Sequence, residues 1–384
     1  MENIVFTETW LGKTKIKNRF VRSATWEGMA TEKGEVTPAL IKLMEELAKG
    51  EVGLIISSHA YVDKKGQASP RQLAVYSDEF VDGLKKMADS VHKYGSKIFL
   101  QLAHSGIFRF SPNGEPGLGP SDFEIKSDFR SAKAIAMTKD NIQEVIEKFG
   151  QAAKRAKVAG FDGVEIHAAH GYLLSQFLSP YFNKRQDEYG KDIDGRSKLL
   201  MDVYLKIREE VGQDFPVIVK INCEDFLDPQ MSFDEMLYVS KRLEQNQIDG
   251  IEMSGGTLIS KDLTPCRTKK IASKLGEIYY LQHAKRFKQE LSVPLILVGG
   301  IRKFEICNEL VKNNICDMVS MSRPLIREPH LIARWKQGDL RDSMCESCNM
   351  CFKPALQGEG LYCYLEKKLK KKEKKEIEND FKEI

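Results

Sequence analysis

Between Val164 and Gly190 the chain reads VEIHAAHGYLLSQFLSPYFNKRQDEYG, which brings two imidazoles and a phenol, His167, His170 and Tyr172, close together. An apolar run, Asp162–Ile166, leads into them and a helical pattern follows. A strand that ends there puts all three groups at its carboxyl end, the rim on which α/β enzymes keep their chemistry. Two structural histidines capping a helix are the plain alternative. A metal is a poorer one, because no carboxylate or cysteine stands at ligand spacing beside the pair.

A second group lies near the other end, in MCESCNMCFKPALQGEGLYC. Cys345, Cys348 and Cys351 are spaced by two residues each, and Cys363 follows after eleven more. Four thiolates in this pattern satisfy a 4Fe–4S cluster or a zinc ion equally well, and the bland reading is four unliganded thiols. Eight cysteines in 384 residues do not describe a secreted disulfide scaffold.

Elements able to carry the first group recur along the chain. Short runs rich in Val, Ile and Leu, without strict alternation, lie at Phe20–Ser23, Val52–Ile56, Lys97–Leu100, Asp162–Ile166, Pro216–Ile221, Asp249–Met253, Pro294–Val298 and Asp317–Ser320. Strands buried on both faces have this composition. Helical patterns intervene at Phe80–Tyr94, Asn141–Ala159, Lys198–Val211, Phe233–Gln245, Ile278–Leu291 and Lys303–Asn313. Eight such units with no break in composition predict one closed (β/α)8 TIM barrel over residues 1–340, a size that barrels with insertions reach. The long connection after the third strand, Ala103 to Thr138, is rich in Gly, Pro and Ser and holds or borders Phe108, Phe110 and Phe123. Its length and place predict a lid over the catalytic face. The chain then ends in a short extension, a cysteine-rich segment over 341–365 and a charged tail over 366–384 with eight lysines and six acids.

Composition narrows the classes. With 59 basic and 55 acidic residues the net charge is +4, so no nucleic-acid footprint shows. No apolar run approaches the roughly 20 residues of a membrane span, and the first residues lack a signal-peptide layout, so a soluble cytoplasmic protein is expected.

The string around His167–Tyr172 closely resembles the old yellow enzyme family of flavin-dependent oxidoreductases, and the resemblance spans about residues 3 to 340. It implies a barrel that binds FMN without a covalent link, is reduced by NADH or NADPH, and then reduces a small electron-poor alkene. In that family the positions of His167 and His170 hydrogen-bond the substrate's electron-withdrawing oxygen. Hydride arriving at the β-carbon leaves negative charge on this oxygen, and donors already in place stabilise it. Tyr172 aligns with the residue that protonates the α-carbon, a carbanion-like centre basic enough for a phenol of pKa about 10.

The same resemblance assigns the flavin contacts. Gln101, in IFLQLAHSG, aligns with a glutamine at the pyrimidine edge, which an amide suits as donor and acceptor. Lys220, in VIVKIN, stands where the family usually has arginine near flavin N1 and O2; it keeps the charge and loses the fork. A lysine inside a buried strand is costly without a partner, which favours a functional role. Backbone groups of Ser23, Ala24 and Thr25 would touch the ring. Gly299 and Gly300 of LVGG, with Met321, Ser322 and Arg323 of MSRP, would receive the phosphate, Arg323 by a forked contact. Two positions depart from the family. Ser322 replaces a usual glycine, and Trp26 replaces a cysteine or threonine that tunes the flavin, with bulk that would narrow the pocket.

Two multidomain members of the family, trimethylamine dehydrogenase and bacterial 2,4-dienoyl-CoA reductase, carry a four-iron cluster on four such cysteines just after the barrel. The cysteine segment here resembles theirs. Three functions therefore compete. One is an NAD(P)H-dependent ene-reductase. Another is an FMN and iron–sulfur dehydrogenase or demethylase that exchanges electrons with an external carrier, towards which Trp26 and the cysteines lean. The last is a flavin-binding electron carrier or redox sensor, against which the long lid argues. Barrels of this family often associate, so a homo-oligomer is compatible with the resemblance.

Overall fold

The computed structural model describes residues 3–125 and 131–371. Eight strands, β1 (Phe20–Arg22), β2 (Leu54–Tyr61), β3 (Lys97–Ala103), β4 (Gly163–Ala168), β5 (Val217–Asn222), β6 (Gly250–Ser254), β7 (Leu295–Val298) and β8 (Met318–Met321), pair in parallel in chain order. β8 pairs with β1 and closes the barrel. All eight coincide with the apolar runs. The largest difference is at β2, which does not stop at Ile56 but continues to Tyr61 through a register shift between Ile56 and His59. Ser57 and Ser58, beyond the apolar run, are both buried inside the bulged strand.

Because strand side chains alternate between faces, residues two apart share the barrel interior. The floor is apolar: Val21, Leu54, Ile56, Phe99, Ile218, Ile296 and Met318 form one buried cluster. One step up, the interior turns polar, with Gln101 on β3, Glu165 on β4, Lys220 on β5, Glu252 on β6 and Ser320 on β8, all buried. Another step up, His167, Asn222 and Ser254 reach the carboxyl rim. A hairpin, Thr9–Leu11 with Thr14–Ile16, seals the amino end by pushing Leu11 and Ile16 into the apolar floor. Its turn needs Gly12: φ is +53°, and a Cβ there would lie 2.3 Å from Asp249 Oδ1.

The outer helices form for ordinary reasons. Lys139–Val158 buries Ile142, Val145, Ile146, Phe149, Ala153 and Ala156, a stripe at helical spacing, and Thr138 with Asn141 closes a capping box at its start. Phe233–Gln245 begins on a second capping box, Ser232 with Glu235. The connection after β3 contains a small sheet of its own, in which Ala132–Ala136 pairs with Gly117–Gly119 and Phe123–Ile125. Ile107, Phe108 and Ala134 bury with Phe182, and Phe123 packs beside them. The insertion is thus a packed cover anchored on the segment after β4, while Phe110 stays partly exposed. No described helix is long and apolar enough to cross a membrane. Residues 372–384, most of the charged tail, lie outside the described residues.

Leu11→Ala would open a cavity under a floor that has no room to collapse. A loss of about 2–5 kcal/mol in unfolding free energy is expected, read from the urea midpoint, with the slope unchanged.

Candidate active site at the carboxyl end of the barrel

Four rings converge above the polar layer. His167 ends β4, and its ring lies 4.9 Å from that of Tyr172 and 5.2 Å from that of His170, centroid to centroid. The fourth ring, His59 at the end of β2, sits 5.5 Å from Tyr172 and 6.2 Å from His167. His170 adopts φ +62°, an uncommon conformation for a residue with a side chain. It is held there by its N–H, which donates to Asn222 Oδ1 at 3.1 Å, and by Nε2 paired with Ser254 Oγ at 2.7 Å. The structure thus brings the three expected groups together and adds a histidine that the sequence did not single out.

The hydrogen bonds fix the tautomer of His59. Ala68 N–H donates to Gln72 Oε1 at 2.7 Å, so the Gln72 amide must present its nitrogen on the other side. That nitrogen donates to His59 Nδ1 at 2.9 Å and to the His59 carbonyl at 3.0 Å. Nδ1 is then an acceptor, the ring proton sits on Nε2, and Nε2–H faces the Tyr172 hydroxyl oxygen at 3.3 Å. In this contact Tyr172 accepts. Burial pushes the His59 imidazole down to about 4. Burial first, then neighbouring positive groups, hold His167 and His170 well below the ordinary histidine range. All three rings are neutral at pH 7, each with one N–H to give. His167 Nδ1 is buried and has no hydrogen-bond partner among the described residues.

Beneath the rings lies the charged layer. Lys220 Nζ donates to Ser23 Oγ at 2.7 Å and pairs with Glu252 Oε2 at 3.0 Å, both side chains almost fully buried. Glu252 Oε1 accepts from Ser320 at 2.7 Å. Burial alone would raise the Glu252 carboxyl, but Lys220 and hydrogen bonds from Glu165 and Ser320 outweigh it and hold it below the usual range. Burial and then the Glu252 charge push Glu165 well above that range. Gln101 Nε2 donates to Glu165 Oε2 at 2.5 Å. Glu165 and Glu252 escaped the sequence reading, although a charge inside a buried apolar run, the signal that marked Lys220, marks them equally.

The remaining expected cofactor residues ring the same end. Ser23 N–H donates to the Met321 carbonyl at 3.0 Å, Thr25 Oγ1 meets Ser322 Oγ at 2.7 Å, and Ala24 packs on the barrel floor cluster. Gly299 and Gly300 follow β7 with φ of +121° and +81°, and a Cβ on Gly300 would strike the Glu277 carbonyl. Arg323 opens the turn after β8 and donates to the Arg267 carbonyl, Asn349 Oδ1 and the Tyr279 hydroxyl.

For FMN these groups fit. Lys220 keeps one N–H beyond its two contacts, Gln101 keeps its carbonyl oxygen, and the bare backbone of Gly299–Gly300 lies on the same end as Arg323. Cys345, Cys348, Cys351 and Cys363 all line one cavity with Arg323 and Arg327, and Arg327 Nη1 approaches Cys363 Sγ at 3.4 Å. In type and number the donors fit a cluster; no group of three or more histidine, cysteine or acidic side chains among the described residues is arranged to hold a metal ion. Trp26 packs with Cys351, Ala355, Leu361 and Phe352. It lines the seam between barrel and cysteine segment.

Glu252→Gln would strand a buried Lys220 and is expected to cost about 3–5 kcal/mol, whereas Lys220→Met with Glu252→Gln restores most of it, measured by denaturant unfolding. Stability should also respond to acid. His59 and His104, each pushed by burial to about 4, together with His167 and His170, bind protons more readily unfolded than folded. Their contribution is whole above about pH 6.5 and is lost as the pH falls towards 4, so the unfolding midpoint should drop across that window. An unchanged midpoint between pH 7 and 5 would contradict buried neutral rings.

The sequence pattern of the NADH:flavin oxidoreductase / NADH oxidase family matches residues 5–342. A curated NADPH dehydrogenase of Geobacillus sp. (strain WCH70) is 34% identical over 331 residues, covering 86% of this chain and 93% of that protein. A NADH oxidase of Thermoanaerobacter brockii is 33% identical over 351 residues, covering 90% of this chain and 53% of its own length, so the chain spans about half of that relative. Among solved structures, a 2-naphthoyl-CoA reductase in complex with 2-naphthoyl-CoA superposes with a TM-score of 0.88 at 25% identity, over 94% of this chain and 57% of that one. Together with the closed eight-stranded barrel, these matches make the chain a member of the NADH:flavin oxidoreductase / NADH oxidase family, the family of the old yellow enzyme.

Proposed function

We propose that this chain is an FMN-dependent oxidoreductase that draws electrons from NADH or NADPH and reduces an electron-poor alkene, such as an α,β-unsaturated carbonyl compound. The observation that carries this reading is the cluster of neutral His167, His170 and His59 around Tyr172 at the barrel rim. FMN, when bound, supplies reversible hydride chemistry. Lys220 and Gln101 would hold its pyrimidine edge, Ser23, Ala24 and Thr25 its ring, and Gly299, Gly300, Met321, Ser322 and Arg323 its phosphate. His167 and His170 would donate to the substrate oxygen, where negative charge develops, without the desolvation penalty of a buried cation. Tyr172 would give its proton to the α-carbon. His59 Nε2–H, directed at the phenol oxygen, would stabilise the phenolate as that proton leaves, and Gln72 keeps His59 in the tautomer that can do so.

A second reading is supported by the shared cavity of Cys345, Cys348, Cys351 and Cys363. In it those thiolates hold a 4Fe–4S cluster, and the chain works as a dehydrogenase or demethylase that exchanges electrons with an external carrier. Trp26 packs against the buried cluster that includes Cys351, which joins the region after β1 to this segment.

One experiment separates the readings: an absorption spectrum of protein purified without air, before and after NADH and NADPH. Flavin bands that bleach with either nucleotide support the reductase, and an underlying broad absorption near the flavin bands supports the cluster. A colourless protein that FMN cannot reconstitute overturns both. In the reductase, Tyr172→Phe should slow alkene reduction at least tenfold and leave flavin reduction by nucleotide within about twofold, by stopped-flow. Equal slowing of both steps would remove Tyr172 as proton donor.

A further inference from the structure

Asn349 ties the cysteine segment to the β8 end of the barrel at Arg323. Asn349 lies between Cys348 and Cys351, and its Oδ1 accepts from Arg323 Nη1 at 2.7 Å while its Nδ2 donates to the Cys266 carbonyl at 2.7 Å. An arginine can only donate and a carbonyl can only accept, so the amide has one orientation here. Asn349 holds φ +60°, a conformation that asparagine tolerates better than most residues. Nη1 also donates to the Arg267 carbonyl at 2.8 Å, and Nη2 donates to Tyr279 at 3.1 Å. Three of the five guanidinium hydrogens are thereby engaged, and Nε–H with one Nη2 hydrogen remain for a further acceptor. The surrounding backbone is stitched to the β7 end as well, by Ser343 N–H to the Arg302 carbonyl and by Arg302 Nη1 to Ser347 Oγ, both at 3.0 Å.

We infer that Asn349 is a positioning residue for anion recognition: it fixes the Arg323 guanidinium so that its remaining donors face a phosphate. The inference rests on the reading of Arg323 as a ligand of the FMN phosphate, and makes the cysteine segment part of the flavin site. Arg323 is largely buried, and with Asn349 removed one Nη1 hydrogen has no acceptor. A buried guanidinium turns to satisfy such a donor, and the fork it offers the phosphate is lost. Lys220 and Gln101, which would meet the ring, are untouched. The effect therefore belongs to the phosphate end alone, and FMN and riboflavin, which differ only by that phosphate, separate it from general damage.

The test is a fluorescence titration of flavin-stripped full chain with FMN and with riboflavin. Asn349→Gly suits the positive φ and removes only the amide; Asn349→Ala is a second variant should the first loosen the loop. Either variant should weaken FMN binding tenfold or more and leave riboflavin binding within about twofold. In an Arg323→Gln background the same substitution should change neither, because the residue acts through Arg323. Equal losses for both ligands, no loss for FMN, or an undiminished loss in the Arg323→Gln background would each overturn the inference. If unmutated protein binds neither ligand, the flavin reading itself falls; if it binds both alike, the phosphate role of Arg323 falls.

Discussion

The barrel is organised around a buried ion pair. Lys220 and Glu252 lie side by side on β5 and β6 with almost no exposure to water, and neither could be there alone. The pair recruits Ser23 from the end of β1 and Ser320 from β8, while Glu165 on β4, its carboxyl raised by burial and then by the Glu252 charge, accepts from Gln101 on β3. Six of eight strands thus contribute to one polar layer between the apolar floor and the rim. Such a layer is a poor source of net stability, since desolvation consumes most of the attraction. What it gives instead is a defined charge, one lysine balanced by one carboxylate, directly below the place where the rings converge.

Burial and this charged layer together set the state of the rings above it. Burial penalises charge on these three histidines most, and the positive charge of Lys220 adds to it. They stay neutral, each with one N–H to direct, which makes tautomers decisive. The Ala68, Gln72 and His59 sequence of hydrogen bonds sets one of them without ambiguity. In a dry site, a single correctly aimed donor counts for more than it does in water.

The cysteine segment packs closely on the β8 end of the barrel. Trp26, just after β1, packs against Cys351 and Ala355, Arg71 donates to the Ala355 carbonyl, and Asn349 reaches Arg323. The side chains that close the β8 end are therefore shared between barrel and extension, so any change that orders or disorders the thiols bears on the loops after β7 and β8.

Much of this was legible along the chain. The eight strands follow from apolar runs of strand length, and their order from helical patterns between them, because both signals are local. His167, His170 and Tyr172 could be placed on a rim, since they follow directly from a strand end, and the cysteines could be grouped by spacing. His59 could not, because Ser57 and Ser58 look like the end of β2 and only a bulge inside the closed barrel carries the strand past them. Nor could the partners of Lys220: Glu252 is thirty-two residues away, and only the neighbouring registers of β5 and β6 set them opposite. Nothing along the chain paired Asn349 with Arg323, twenty-six residues away; only the tertiary path brings them together. Sequence by itself determined the elements and which side chains stand at their ends, since period and spacing are properties of neighbours. Tertiary structure decided which of those ends face one another, and with that the charges, tautomers and hydrogen bonds that turn a rim of polar residues into a site.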